Sequence, residues 1–477
     1  MERVKTFIKD NKVGVICTSI PIVIFTMFFL GYYPGIIPYD GANQWNQVQS
    51  GIITNSHPFF STYFMYLLSK IHNTTTLFIL YQIFIFSIIW GYFCSIIRGS
   101  KKKNKIIYVF TVIMCMLPII CLFSISVWKD ILYSYYLFMI GVLLYKGILN
   151  KFEYSIKDYI LFAILLTLIS NYRHNGVYVM VMYFVLLAVI VFKKRKLLTK
   201  QIFKSIGIMI ITFIVLTGVI SIPKHIYLSK SDEIKSKEQT KEKKENSVSL
   251  KYNYILWMMN EHIMEGNVNS KEDLDFLEHI MSMKKWKQYY NPYLINSITQ
   301  SDDIDGKFVN DNSSKLISMF IKYSTKYPLT IVKHYLKSDA LLINPISQKD
   351  TYVYVFAFSE WGVLGFDAIT DPKIPIIQDV YDKVVNVSFA RWIKYFYQPA
   401  LILYLSIIMF IILSIKVYGK RIWLLGTPMF FNTMSLLPIN LAQDLRYAYI
   451  NYLVFFAVLL LFILNFDKIF NKPRKKA

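Results

Sequence analysis

Acidic side chains are scarce in this chain, with 30 Asp and Glu against 53 Lys and Arg among 477 residues. Between Val13 and Ser69 the only formally charged residue is Asp40. Cysteine is rarer still: Cys17, Cys94, Cys115 and Cys121 all fall inside apolar runs. A disulfide framework or a zinc site needs cysteines in polar loops at ligand spacing, so neither is expected, and the four read as small buried hydrophobes. No A-x-A cleavage site follows the first apolar run, VGVICTSIPIVIFTMFFLG at 13–31, which is also too long for a secretory h-region. It reads as a retained helix. The net charge of +23 would suit a nucleic-acid partner only if spread over one surface. Here the positive charges sit in short clusters between apolar runs, the pattern of membrane topology signals.

What is present is apolar: 55% hydrophobic and 17% aromatic residues, with mean hydropathy +0.40. This indicates an all-α polytopic membrane protein. A spanning helix needs roughly 20 apolar residues. About ten segments meet or approach that length: 13–32, 74–97, 106–125, 131–147, 158–172, 175–192, 205–223, 395–415, 422–441 and 447–466. The basic clusters MERVKTFIKDNK, RGSKKKNK, KKRK, KVYGKR and NKPRKKA all fall on one side of that alternation, together with Lys151, so that side and both termini are expected to be cytoplasmic. The expected organisation is an N-terminal membrane module, 1–223, an extracytoplasmic loop domain, 224–393, and a C-terminal membrane module, 394–477. The first outer loop, 33–73, would hold a juxtamembrane helix at 58–71, too short to span. The loop domain opens with a charge run, KSDEIKSKEQTKEKKENS, that reads as a flexible linker. It continues with helical periodicity, and its SSKLISMFIKYSTKYPLTIVKHYLKSDALLI stretch is apolar enough to lie on a membrane surface.

Under this topology four separate outer loops each deliver ionisable groups to the same face. They are Asp40 and His57 in the first, Lys129 and Asp130 in SVWKD, Arg173 and His174 in NYRHNG, and Asp444 and Arg446 in AQDLRYAY. Each has a plainer reading. Asp40 precedes Gly41 in a good turn sequence. Lys129 and Asp130 can form an interfacial ion pair, Arg173 and His174 can cap a hairpin or meet headgroups, and Asp444 can cap the last helix. His57, just before Pro58, can be a surface histidine. Those readings leave unexplained why all four sites share one face while the helices are nearly free of charge. Lys129, Arg173 and Arg446 suit a phosphate or pyrophosphate, and Asp40 or Asp130 can take a proton from a hydroxyl. Tyr39, Trp45 and Trp128 can stack on a sugar or anchor at the interface.

The segments PGIIPYDGANQWNQ, NSHPFF, SVWKD, YRHNGVY, EDLDFLEHIMSMKKWKQYYNPYLI and DLRYAY resemble, in order along most of the chain, a family of bacterial polytopic membrane proteins related to the GT-C class of integral-membrane glycosyltransferases. The resemblance implies a GT-C-like bundle, a polyprenyl-phosphate-linked sugar donor, and transfer to a cell-envelope glycan or teichoic acid outside the cytoplasmic membrane. It implies catalytic roles for Asp40 and Asp130; on the glycosyltransferase reading of the residues themselves, His57, Lys129, Arg173, His174, Asp444 and Arg446 bind substrate. No cofactor is required on this reading. The first loop has no D-x-D or E-x-D pair, which weakens the case for a divalent cation there. Two other functions remain open: a polysaccharide polymerase using polyprenyl-pyrophosphate repeat units, and a flippase or transporter for a lipid-linked sugar.

Overall fold

The computed structural model describes residues 11–193, 200–238, 248–299, 301–346, 371–390 and 392–470. The basic N-terminal stretch before Asn11, residues 194–196 of the KKRK cluster, the later part of the charge run (239–247) and the basic tail 471–477 lie outside the described residues.

Regular structure among the described residues is helical, with two isolated bridges, Ile36 to Ser126 and Leu294 to Ala442. All ten apolar segments contain helix, although 422–441 is helical only as far as Leu436. Among the described residues, seven helices are long and apolar enough to cross a membrane: Lys12–Gly31, Thr76–Ile97, Lys129–Leu149, Gly176–Lys193, Phe203–Ser231, Pro399–Tyr418 and Leu445–Leu464. An eighth crossing arises if the pair Lys101–Met116 and Pro118–Ser124, bent by 70°, is one span. The bend falls where Pro118 follows Leu117, whose extended backbone is what a residue before proline prefers. Two expected segments form shorter helices, Ile156–Tyr172 with 17 residues and Trp423–Leu436 with 14.

Two corrections concern the polar stretches. The residues after Pro38 are not a turn: Tyr39–Ser50 is a helix with Asp40 in its first turn, where a carboxylate meets the positive end of the helix dipole. Gln44, Trp45 and Val48 form its buried side, which a polar composition conceals. The start of the charge run is also helical, because Lys200–Glu238 continues through Pro223 and into the Lys- and Glu-rich segment. Lys and Glu are good helix formers once a helix is nucleated upstream. The juxtamembrane segment forms a helix at Phe59–Ser69, 11 residues long.

The chain divides into two compact units. The first contains the apolar helices. Its centre is Lys129–Leu149, buried at every residue from Lys129 to Tyr145. Gly176–Lys193 and Phe203–Ser231 instead expose apolar side chains such as Val185, Phe192, Ile211 and Val219, as lipid-facing helices do. Lys12–Gly31 and Thr76–Ile97 approach closely at two glycines. A Cβ on Gly91 would lie 2.7 Å from the Gly14 carbonyl oxygen and would collide with the Thr18 hydroxyl. Nearby, Phe25 and Phe86 pack with ring centroids 5.4 Å apart. Small residues at such a crossing let backbones meet where no hydrophobic force favours one apolar helix over lipid.

The second unit takes Asp232–Val353 and a strap, Leu436–Asp444. Helices Leu250–Met264, Lys271–Ile280, Met283–Gln288 and Ser313–Lys326 enclose a core that includes Trp257, Leu277, Trp286, Leu316 and Met319. The strap is held by polar contacts within this unit. The Leu341 N–H donates to Gln443 Oε1 at 2.6 Å, the Asn440 amide donates to the Ser338 carbonyl at 2.7 Å, and the Ile295 N–H donates to the Leu441 carbonyl at 3.0 Å.

Replacing Gly91 with valine should force the first two long helices apart. Overpacking of this kind typically costs about 1–3 kcal/mol, and a lowered thermal midpoint of the detergent-solubilised protein is the expected readout.

Candidate functional site

A short chain of backbone contacts brings the first outer-loop segment onto the SVWKD segment. The Ile36 N–H donates to the Ile125 carbonyl at 3.0 Å, and the Val127 N–H donates back to the Ile36 carbonyl at 2.8 Å. Gly41 permits the approach, since a Cβ there would run into the Val127 carbonyl oxygen. The other side of the same turn is held by Gln82. Its buried amide nitrogen lies 3.1, 2.9 and 3.0 Å from the carbonyl oxygens of Phe123, Ser124 and Ser126. Two amide hydrogens serve three acceptors, so the contact is shared. Gln82 therefore fixes the backbone from which Trp128, Lys129 and Asp130 project.

The remaining cations arrive from two other elements. Arg173 follows the Ile156–Tyr172 helix in a tight turn closed by the Gly176 N–H on the Arg173 carbonyl at 3.0 Å. Asn175 anchors that turn by donating to Ser435 Oγ at 2.8 Å. Arg446 lies in a 3-10 turn, Leu445–Ala448, just ahead of the Tyr449–Leu464 helix.

These segments assemble five charges. Lys129 Nζ donates to Asp40 Oδ2 at 2.9 Å, and Arg446 Nη1 donates to the same oxygen at 2.8 Å. Arg173 Nε faces Asp130 Oδ1 at 3.0 Å. Asp130 Oδ2 lies 3.7 Å from Arg446 Nη1 and 3.9 Å from Lys129 Nζ. Aromatic faces flank the cations: the Arg173 guanidinium lies 4.7 Å from the Tyr447 ring centroid, and that of Arg446 lies 5.3 Å from the Trp128 ring. Arg173, Lys129 and Arg446 are buried, and Asp130 is wholly inaccessible, while Asp40 is partly open. Both carboxylates occupy the second position of a helix, Asp40 in Tyr39–Ser50 and Asp130 in Lys129–Leu149, so helix dipoles add to the cations in favouring negative charge.

Counted over these five groups alone, three cations against two carboxylates give one surplus positive charge. Arg173 Nη1 is buried with no hydrogen-bond partner among the described residues, a donor poised for a further acceptor. Burial would by itself push the Asp40 pKa up, but Lys129 and Arg446 outweigh it and hold the carboxyl well below the usual carboxylate range. His57 joins from the side, with Nδ1 3.5 Å from Lys129 Nζ. Burial and the Lys129 ammonium push its pKa down to about 4. An ammonium only donates, so the neutral ring presents Nδ1 as acceptor and carries its proton on Nε2.

Of the residues expected at the site, the fold thus brings together Asp40, His57, Lys129, Asp130, Arg173 and Arg446. His174 is next in the chain to Arg173 but exposed. Asp444 belongs to the second unit, in the strap. Trp128 and Trp45 are buried and Tyr39 is exposed. Gln82, Asn175, Tyr447 and Tyr133, whose ring centroid lies 5.5 Å from the Arg173 guanidinium, were not expected. Gln82 carried a signal, being the sole side-chain amide in the apolar run TLFILYQIFIFSIIW. Among the described residues, no three or more His, Cys, Asp or Glu side chains are grouped so as to hold a metal ion. Comparison with protein-family models, with curated proteins and with solved structures returned no match.

The depressed His57 pKa makes a stability prediction. An unfolded histidine titrates near 6.5, so between pH about 6.5 and about 4 the unfolded chain binds a proton that the folded chain refuses. Stability is therefore fully present above that window and falls as pH drops through it. His57→Asn should flatten this acid limb, measured as thermal midpoints in detergent from pH 7.5 to 4.5. The Asp40 contribution, present above the ordinary carboxylate range and lost only in stronger acid, remains in that variant.

Proposed function

We propose that this protein is a membrane glycosyltransferase that moves a sugar from a polyprenyl-phosphate-linked donor to a cell-envelope glycan or teichoic-acid acceptor. The observation that carries the reading is the convergence of Asp40, Lys129, Asp130, Arg173 and Arg446 with one net positive charge. A polyprenyl-phosphate sugar is a phosphodiester with a single negative charge, which that surplus matches. The polymerase reading supplies a pyrophosphate donor of greater charge and matches it less well. The chemistry also builds charge where the cations are. As the acceptor oxygen bonds to the sugar C1, the C1–O bond to phosphate breaks, and the departing polyprenyl phosphate takes the electron pair. Preorganised guanidinium and ammonium donors stabilise that developing charge without rearrangement.

Asp40 is the proton acceptor in this reading. A carboxylate gripped by two cations is a weak base. A donor phosphate that draws Lys129 and Arg446 onto its own oxygens would loosen that grip and let Asp40 take the acceptor hydroxyl proton. Asp130, inaccessible and facing three cations, positions them rather than touching the substrate. His57 keeps Lys129 oriented as a neutral acceptor. The alternation of basic clusters supports an arrangement of about ten spans with both termini in the cytoplasm, the cluster on the extracytoplasmic face, and the second unit outside.

Asp40→Asn and Arg446→Ala, expressed at wild-type level in a deletion strain, should each reduce envelope-glycan decoration by at least tenfold while leaving polymer length unchanged. Full decoration in both variants would refute the reading, and loss of the polymer itself would favour a polymerase. Transfer by purified protein in detergent, where no two sides exist, separates either enzyme from a flippase.

A further inference from the structure

The second unit contains a helix whose amphipathic order is reversed. Pro328–Ser338 turns Thr330, His334 and Ser338 inward, and all three are buried. It turns Leu329, Val332 and Leu336 outward, and these are 72%, 51% and 55% exposed. The inward polar groups are packed within the unit, although neither ring nitrogen of His334 has a hydrogen-bond partner among the described residues. Asn267 donates to Thr330 Oγ1 at 2.8 Å, His334 Nδ1 lies 3.5 Å from Glu261 Oε2, and the Ser338 carbonyl accepts from the strap. The reversal is thus built into the packing. A helix with this arrangement in water would leave its most apolar face solvated with no gain in return.

The preceding helix has exposed apolar residues too. Ser313–Lys326 buries Leu316, Met319 and Tyr323 and exposes Ile317 and Ile321. Scattered surface hydrophobics are ordinary, but five on two consecutive helices, at spacings of three, four and seven, make a face. Charge is polarised around it: residues 313–338 hold five lysines and no acidic residue. Four of the five pair with acids on neighbouring helices: Lys315 with Glu272, Lys322 with Asp273, Lys333 with Glu265 and Lys337 with Glu261, while Lys315, Lys322 and Lys333 keep 43%, 54% and 53% of their side chains exposed. Long lysine stems beside an apolar face can bury their methylenes and hold their ammonium groups at headgroup level.

We propose that this face docks on a phospholipid bilayer surface, with Leu329, Val332 and Leu336 in the acyl boundary and the flanking lysines at the lipid phosphates. The chain itself supports this occupant. The unit's sequence runs on directly from the Phe203–Ser231 helix, of membrane length and hydropathy, and returns to another at Pro399–Tyr418. The face thus lies in a segment flanked in sequence by two membrane-length helices, and an interfacial helix buries its apolar side about 5–10 Å deep. This inference does not depend on the glycosyltransferase reading.

The test uses the full chain in phosphatidylethanolamine–phosphatidylglycerol nanodiscs. Nitroxide labels are placed singly at Leu329→Cys, Val332→Cys and Leu336→Cys, with the exposed Lys284→Cys as a water-facing control. The four native cysteines are buried, so the introduced one is labelled selectively. At the three apolar positions collisions with oxygen should exceed those with a water-soluble nickel chelate several-fold, and at Lys284 the ratio should reverse. Nickel access equal to the control would overturn the proposal. So would protection from both reagents, which would mean a protein cover, or spin–spin broadening between copies, which would mean a second chain.

Discussion

The organisation of the first unit depends on the carboxylate of Asp40 being held by two cations from distant parts of the chain. Lys129 is 89 residues away and Arg446 is 406 residues away, yet both reach the same oxygen. In an apolar protein, a buried charge without a partner costs several kcal/mol. Each of the five charges is therefore tolerable only because the others are there. The helices that carry them must arrive in register: Lys129–Leu149 at the centre, Tyr449–Leu464 against it, and the Arg173 turn beside both. A buried ion cluster of this kind is weak evidence for stability gained.

The supporting contacts show how the cluster is kept in shape. None of Gln82, Gly41 or Asn175 is charged, yet each decides where a charged neighbour sits. Gln82 holds the turn ahead of Lys129, Gly41 lets the Asp40 helix lie against Val127, and Asn175 ties the Arg173 turn to Ser435. Tyr447 lies beside both guanidinium groups, so the two arginines share one aromatic wall. The site is thus built on helix starts and tight turns rather than on long loops, the placement that keeps donors preorganised.

Much of this was legible in the sequence, for a physical reason. Hydropathy reports helices directly when lipid forbids any other spanning structure, and every apolar segment contains helix. Rarity identified the charges: where Asp40 stands alone between Val13 and Ser69, its chemistry is conspicuous. Other features were hidden because they depend on three-dimensional neighbours. The polar residues after Asp40 resemble a loop, yet Gln44 donates to Ser61 and Thr62 and packs as the buried side of a helix. Asp444 sits two residues from Arg446 yet groups with the strap of the second unit, a division that sequence spacing does not reveal. The Lys- and Glu-rich segment looked like a linker because composition does not reveal that a helix already runs into it.

The central claim is that Asp40 and Arg446 form one buried ion pair within a single cluster. A double-mutant cycle measures it most directly, using Asp40→Asn, Arg446→Met and the double variant in reversible unfolding of the detergent-solubilised protein. The account predicts strong non-additivity, with the double variant more stable than the sum of the single losses implies by about 1–3 kcal/mol. Additive losses would contradict it, because two residues that share no contact would not have been neutralising each other.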